Sequence, residues 1–257
     1  MSEAAITIRG LRHRYVTRGR VVEALAGIDL DVANGRFVSI VGPSGCGKST
    51  LLKVLAGLLV PFGGEAKVHG ESVIGRPGRV AYMPQRDLLL PWRKALANAA
   101  LGAELSGKPQ REARDMAREL FPVFGLSGFE NAWPSQLSGG MRQRLALLRT
   151  FLVASDVMAL DEPMGALDAI TRSQMHGWLQ DVLARERRTV LFVTHDVEEA
   201  LVLSDEVHVM TPRPGRLARC VEAPWPRPRV PGIVTTREFV ERKAELLAAL
   251  ETDRTRG

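Results

Sequence analysis

Apolar and polar positions alternate with period two over residues 5–32: Ile6 and Ile8, then 21–26, then Ile28, Leu30 and Val32. Gly19 and Gly27 punctuate the run, which predicts a small antiparallel sheet. Continuous apolar runs at 37–41, 157–160 and 189–193 predict buried strands. Shorter runs at 66–69, 79–83, 206–210 and 217–221 read as further strands. Helical spacing appears at Leu51, Leu52, Leu55, Leu58 and Leu59, across 94–125, from Ser138 through Ala154, after Asp168, and at Phe239, Leu246 and Leu250. Pro61-Phe62-Gly63-Gly64 breaks the chain, Pro122 ends or kinks the second helix of 94–125, and the proline-rich stretch 224–231 reads as a linker. Thr235-x-x-Glu238 predicts a capping box at the last helix.

At the end of the 37–41 run the sequence reads Gly42-Pro43-Ser44-Gly45-Cys46-Gly47-Lys48-Ser49-Thr50, which fits G-x-x-x-x-G-K-[ST] between a strand and a helix. The glycines allow a tight turn that aims backbone N–H groups inward, and the helix N-terminus adds its dipole, so the stretch predicts a phosphate site. Lys48 supplies a charge for the outer phosphates, and the Ser49 hydroxyl is placed to bind Mg²⁺. The ligand predicted is a nucleoside triphosphate.

Further candidates stand at strand and helix ends. Asp161-Glu162-Pro163 ends one apolar run, where carboxylates beside a phosphate loop suit Mg²⁺ and a water. Thr194-His195-Asp196 ends another; a lone histidine is usually structural, but the carboxyl end of a parallel strand favours function. Ser138-Gly139-Gly140 opens a helix, as an anion site or a simple N-cap. Tyr15 is either a base-stacking aromatic or a packing residue. Pro84-Gln85 follows a strand, and Leu88-Leu89-Leu90-Pro91-Trp92 forms either a docking surface or a buried turn.

With 257 residues, 45% hydrophobic and 25% charged, the chain predicts one globular domain, alone or with a subdomain. A formal charge of +6 admits nucleic acid or an anionic membrane surface, but the basic residues are spread, with mild enrichment at 111–118, 142–149 and the last third. Two cysteines give no disulfide framework. Cys46 reads as a small filler, or as a thiol acidified by Lys48 and the loop N–H groups whose alkylation blocks nucleotide binding. The first ten residues lack a charged lead and an apolar stretch, and no run of about 18 apolar residues occurs, so a soluble cytoplasmic chain is expected.

Taken together and in this order, VGPSGCGKST, Gln85, LSGGM, VMALDEP, ALD and His195 resemble the ATP-binding subunit of ABC transporters over nearly the whole chain. The resemblance implies an α/β fold with a P-loop NTPase core, an N-terminal antiparallel β subdomain and an inserted helical subdomain. It divides a single ABC ATPase domain, 1–257, into 1–91 with 156–222 as core, 92–155 as helical signature subdomain and 223–257 as C-terminal linker and helix. It gives Tyr15 adenine stacking, the loop 42–50 the phosphate cradle, and Ser49, Gln85 and Asp161 the metal. Glu162 becomes the general base, Gln85 a contact to metal or water, and His195 the γ-phosphate switch. Ser138, Gly139 and Gly140 would cap the γ-phosphate of a second copy, which implies a head-to-tail dimer around ATP with Asp168 at its interface. LSGGMRQR, the Leu89-Leu90-Pro91-Trp92 stretch and Pro212-Arg213-Pro214-Gly215-Arg216 resemble the nitrate/sulfonate/taurine importers. Those imply a separate membrane permease, a substrate-binding protein, a place on the cytoplasmic face of the membrane and no nucleic acid. Met141 and Met164 depart from the usual family residues without removing a phosphate or metal ligand, so activity is expected to survive. The alternatives are a non-transport ABC ATPase acting on nucleic acid or ribosomes, and an importer of another cargo such as a thiamine precursor.

Overall fold

The computed structural model describes residues 4–17, 19–165 and 167–254. Ala166, within the ALD stretch, lies outside them. The alternating N-terminal run forms a hairpin of β1 (Ala4–Thr17) and β2 (Arg20–Ala33), with Ile8 opposite Leu30 and Tyr15 opposite Val22. In chain order follow β3 (Phe37–Val41), α1 (Lys48–Leu55), β4 (Gly63–Val68), β5 (Glu71–Ser72) and β6 (Ala81–Met83). The helices α2 (Ala95–Leu105), α3 (Gln110–Leu120) and α4 (Gly139–Phe151) come next. Then β7 (Val157–Asp161), α5 (Ala169–Glu186), β8 (Thr189–Thr194), α6 (Val197–Leu203), β9 (Glu206–Met210), β10 (Leu217–Glu222) and α7 (Arg237–Arg254) complete the chain.

Two sheets result. The first is antiparallel with order β2-β1-β4-β5; the second runs β10-β9-β3-β8-β7-β6, parallel except for the edge strand β10. Strands β3, β7 and β8 are buried at every position, as strands covered on both faces must be. Their alternate side chains enter different cores. Val38 and Ile40 pack with α1 against the first sheet, whereas Phe37, Met158, Leu160 and Phe192 pack beneath α2, α3, α4 and α5. A third cluster lies under α6 and α7, around Val209, Leu201 and Phe239. The register sets Val41 opposite Thr194 and Asp161 opposite Val193. The loops after β3, β7 and β8 therefore leave the sheet side by side, and this brings distant motifs together.

Several local expectations shift. α4 stops at Phe151 rather than Ala154, with Leu152 as its cap. The capping hydroxyl of α7 belongs to Thr236, which accepts from the Phe239 N–H at 3.4 Å, while Glu238 accepts from the Trp225 indole. The Thr235 capping box is not formed, because Thr235 lies in a short 3-10 turn, Pro231–Thr235, and bonds to the Gly232 carbonyl. α3 ends at Leu120, ahead of Pro122 as expected. The stretch 224–231 is no free linker: the buried Arg229 guanidinium donates to the carbonyls of Leu201, Ala223 and Trp225, and burial lowers its pKa to about 10. The basic cluster at 142–149 is spent internally. Arg142, Arg144 and Arg149 donate to the carbonyls of Leu137, Phe124, Gly125, Leu88 and Asp87, bracing loops instead of facing solvent as a free charged stripe.

Candidate active site

The loop after β3 ends at Gly47, whose φ of 114° starts α1 without a side-chain cap. The first N–H groups of α1 are thus left for a ligand, at the positive end of the helix dipole. Lys48 is buried and folds back on the loop, donating to the carbonyls of Gly42 (2.7 Å) and Pro43 (3.0 Å). A cleft of ≈ 210 Å³ opens beside it, lined by Tyr15, Ser44, Gly45, Gly47, Lys48, Ser49, Thr50, Gln85, Glu162 and Arg213 among others. Tyr15 reaches it from β1, its hydroxyl 3.1 Å from Thr50 Oγ1 and its ring 4.7 Å from that of His13. With 38% of it exposed, Tyr15 is positioned at the rim.

Glu162 is the centre of the polar network. Its Oε2 accepts from Gln85 Nε2 at 3.1 Å and lies 3.3 Å from His195 Nδ1. Its backbone is in the left-handed region at φ 49°, a strained state for a residue with a Cβ. The Glu162 N–H donates to Val193 at 2.8 Å, and its carbonyl accepts from Gly165 N and Gln143 Nε2. Val193 belongs to β8, so the strand that carries His195 also fixes Glu162.

Asp161 is 2% exposed, and its Oδ1 accepts from Ser49 Oγ at 3.1 Å. Burial, and then the charge of Glu162, push the Asp161 pKa up, against the pull of the Ser49 bond. A raised folded-state pKa means that ionised Asp161 by itself weakens the fold as pH rises through the carboxylate range. A cation would reverse this. The buried Tyr82 hydroxyl nearby has no hydrogen-bond partner among the described residues, and burial and the Asp161 charge push its pKa up. Oxygen donors around a buried carboxylate fit a hard divalent cation such as Mg²⁺.

Ser138, Gly139 and Gly140 do not line this cleft. Ser138 Oγ caps α4 by accepting from Met141 N at 3.2 Å. Asp168 Oδ1 accepts from Thr171 N at the start of α5. Met164 is buried in the core beneath the helices. In the 85–92 loop, Leu89 is buried while Leu88 and Trp92 are 59% and 70% exposed, so docking surface and buried turn each describe part of it. Asn98 holds this loop through both its amide atoms at Leu90.

The expectation of an acidified Cys46 is corrected. Cys46 is 1% exposed, and burial raises the pKa of its thiol more than Lys48 lowers it. Limiting iodoacetamide at neutral pH is expected to label the exposed Cys220 and leave Cys46 largely intact, as read by peptide mass spectrometry. Preferential labelling of Cys46 would contradict this. Tyr82 and Arg213 were missed as site residues. The Arg213 guanidinium donates twice to the Gly45 carbonyl, and its only sequence signal was membership of the 212–216 stretch.

Strand, glycine loop and helix, with carboxylates at the end of a parallel strand one place removed in the same sheet, define a P-loop nucleotide-binding fold. The family model described as ABC transporter matches residues 25–165. The chain is 48% identical to the aliphatic sulfonates import ATP-binding protein SsuB 1 of Rhodococcus jostii, over 94% of this chain and 91% of that one. It is 41% identical to the formylaminopyrimidine import ATP-binding protein ThiZ of Halalkalibacterium halodurans, over 83% and 82% of the two chains. The dimeric structure of a bacterial ABC transporter cassette matches with a TM-score of 0.79 at 27% identity, covering 86% of this chain and 99% of that one. A second structure, titled as a post-hydrolysis state bound to ADP and Pi, matches equally. The chain belongs to the ABC transporter family, and it is an ATPase of that family.

Proposed function

We propose that this chain hydrolyses ATP to power import of a small solute, of the aliphatic sulfonate class, through a separate membrane permease. The observation that carries the chemistry is the meeting of Lys48, Ser49, Asp161, Glu162, Gln85 and His195 where β3, β7 and β8 end side by side. The cargo class rests on the names of the sulfonate relatives; the formylaminopyrimidine relative supplies the alternative.

Tyr15 stacks on adenine, and the N–H groups of 42–50 surround the phosphates. Lys48 swings from the Gly42 and Pro43 carbonyls to the β and γ phosphates. Ser49 and Asp161, with Gln85 at the edge, would hold Mg²⁺, which when bound would neutralise charge on the phosphate oxygens. Glu162 accepts the proton of the attacking water while the bond from the γ-phosphorus to the bridging oxygen breaks, leaving ADP and phosphate. Gln85 orients that water, and His195 reads the γ-phosphate.

Because Ser138–Gly140 stand away from the cleft of their own chain, a second copy supplies them, in a head-to-tail dimer with Asp168 near the interface. Leu88 and Trp92 offer the permease an apolar contact on a loop that Asn98, Arg142 and Arg149 hold rigid. Among the described residues no helix is long and apolar enough to cross a membrane, which suits a subunit docked on the cytoplasmic face. A substrate-binding protein completes the importer.

Tagged Glu162→Gln protein with Mg-ATP, incubated with detergent-solubilised membranes, is expected to retain a polytopic membrane protein. Nucleic acid or soluble partners alone would remove the importer reading and return the alternative of a nucleic-acid or ribosome ATPase.

A further inference from the structure

The 211–216 turn between β9 and β10 has no part in the reaction described above, yet it lies on the phosphate loop. β2 grips it through two backbone bonds, Gly215 N to Ala24 O (3.0 Å) and Ala26 N to Gly215 O (3.1 Å). Its base is closed by Thr211 N to Arg216 O (2.9 Å) and Arg216 N to Thr211 Oγ1 (3.0 Å). A Cβ on Gly215 would stand 2.2 Å from the Cys46 carbonyl, so the turn and the loop touch backbone to backbone. From this anchored base Arg213 extends over the loop, with Nε 3.0 Å and Nη2 2.8 Å from the Gly45 carbonyl.

A phosphate loop works by turning N–H groups inward, so its carbonyls must point outward and be held there. Gly45, at φ 77°, has no Cβ to fix its conformation and can turn its peptide at little cost. Two cations hold these carbonyls. Lys48 takes Gly42 and Pro43, and Arg213 takes Gly45. When a nucleotide draws Lys48 to its phosphates, the first pair of bonds is lost and the Arg213 fork remains.

We propose that Arg213 is a positioning residue, which holds the Gly45 peptide outward so that the loop receives a nucleoside triphosphate without rearranging. It acts on nucleotide affinity and leaves the chemical step to Glu162. The effect runs through a carbonyl, so a neutral N–H donor of sufficient reach serves in place of the guanidinium. The tether rests on ATP being the ligand of this cleft.

The test compares Arg213→Ala, Arg213→Gln and Arg213→Lys in the 257-residue chain, measuring kcat, KM for ATP and binding of a fluorescent ATP analogue. Loss of a charge-assisted bond predicts KM and Kd raised about tenfold in Arg213→Ala, with kcat within about twofold of wild type. Arg213→Gln should recover most of the affinity, and Arg213→Lys, one donor nitrogen without the planar fork, should fall between Arg213→Ala and Arg213→Gln. Unchanged affinity in Arg213→Ala would show the tether to be idle. Affinity as poor in Arg213→Gln as in Arg213→Ala, with Arg213→Lys near wild type and the loss vanishing at high salt, would overturn the carbonyl route in favour of a direct charge contact with the phosphates. Should the alanine variant fail to fold, the glutamine and lysine variants decide by the same criteria. A wild-type chain that binds no ATP would sink the parent reading; wild-type and variant chains that bind equally would sink only the tether.

Discussion

Replacing Glu162 with Gln is expected to lower steady-state ATP turnover by at least about 100-fold, the scale of a lost general base, while ATP binding survives. Glutamine matches the shape of glutamate and retains an oxygen for the Gln85 amide and the His195 ring, which now meet at Glu162 Oε2. What it lacks is a carboxylate to take the proton of water. The strained backbone at φ 49° should persist, because Val193, Gly165 and Gln143 hold the Glu162 peptide from both sides. The thermal midpoint without nucleotide should therefore stay near wild type. With hydrolysis blocked, ATP should accumulate between two copies, and size-exclusion chromatography in Mg-ATP should show a dimer that wild type forms only transiently. Near-normal turnover would mean that another group takes the proton, and the role given to Glu162 would fall.

The phosphate loop was legible because its chemistry needs particular residues at fixed local spacing, and the strand before it and helix after it are local too. Glu162 and His195 were legible as carboxylate and imidazole at strand ends, but not as neighbours. Their approach depends on β7 and β8 pairing, a register that short apolar runs do not encode. Arg213 was opaque for a different reason. An arginine in a proline-glycine turn reads as a solvated charge, and its partner is a backbone carbonyl 168 positions earlier. Carbonyls carry no sequence signature. The same blindness covers the 142–149 arginines, visible in the sequence only as a mild basic enrichment although they bind the carbonyls of loops. Cys46 failed on magnitude: proximity to Lys48 was foreseen, but desolvation outweighs it once the thiol is sealed beneath the loop. Thr235 lost its cap to Thr236 by one residue, because the 3-10 turn takes Thr235 and commits its hydroxyl to the Gly232 carbonyl.

Lys48→Met should abolish nucleotide binding more completely than any change at Glu162, yet leave the fold standing. Lys48 is 6% exposed, and the described hydrogen-bond partners of its ammonium are the Gly42 and Pro43 carbonyls and, at 3.7 Å, the Cys46 sulfur. None of these partners is an anion; the Asp161 carboxylate acts on the ammonium through space, and dipoles surround it directly. Removing it relieves desolvation and also leaves two carbonyls without their donor; these effects oppose, and the thermal midpoint without nucleotide should move by only a few degrees. With ATP the balance is one-sided. Charge-assisted bonds to the β and γ phosphates are worth roughly 1.5–3 kcal/mol each, so two of them correspond to at least about a 100-fold loss of affinity. The informative readout is thermal stabilisation by Mg-ATP. At ligand near 100 times the wild-type Kd, wild type should gain about 2.7 kcal/mol, and Lys48→Met close to nothing. Equal stabilisation of both proteins would show that the backbone N–H groups and the α1 terminus bind the phosphates unaided, leaving Lys48 a brace for the loop carbonyls alone.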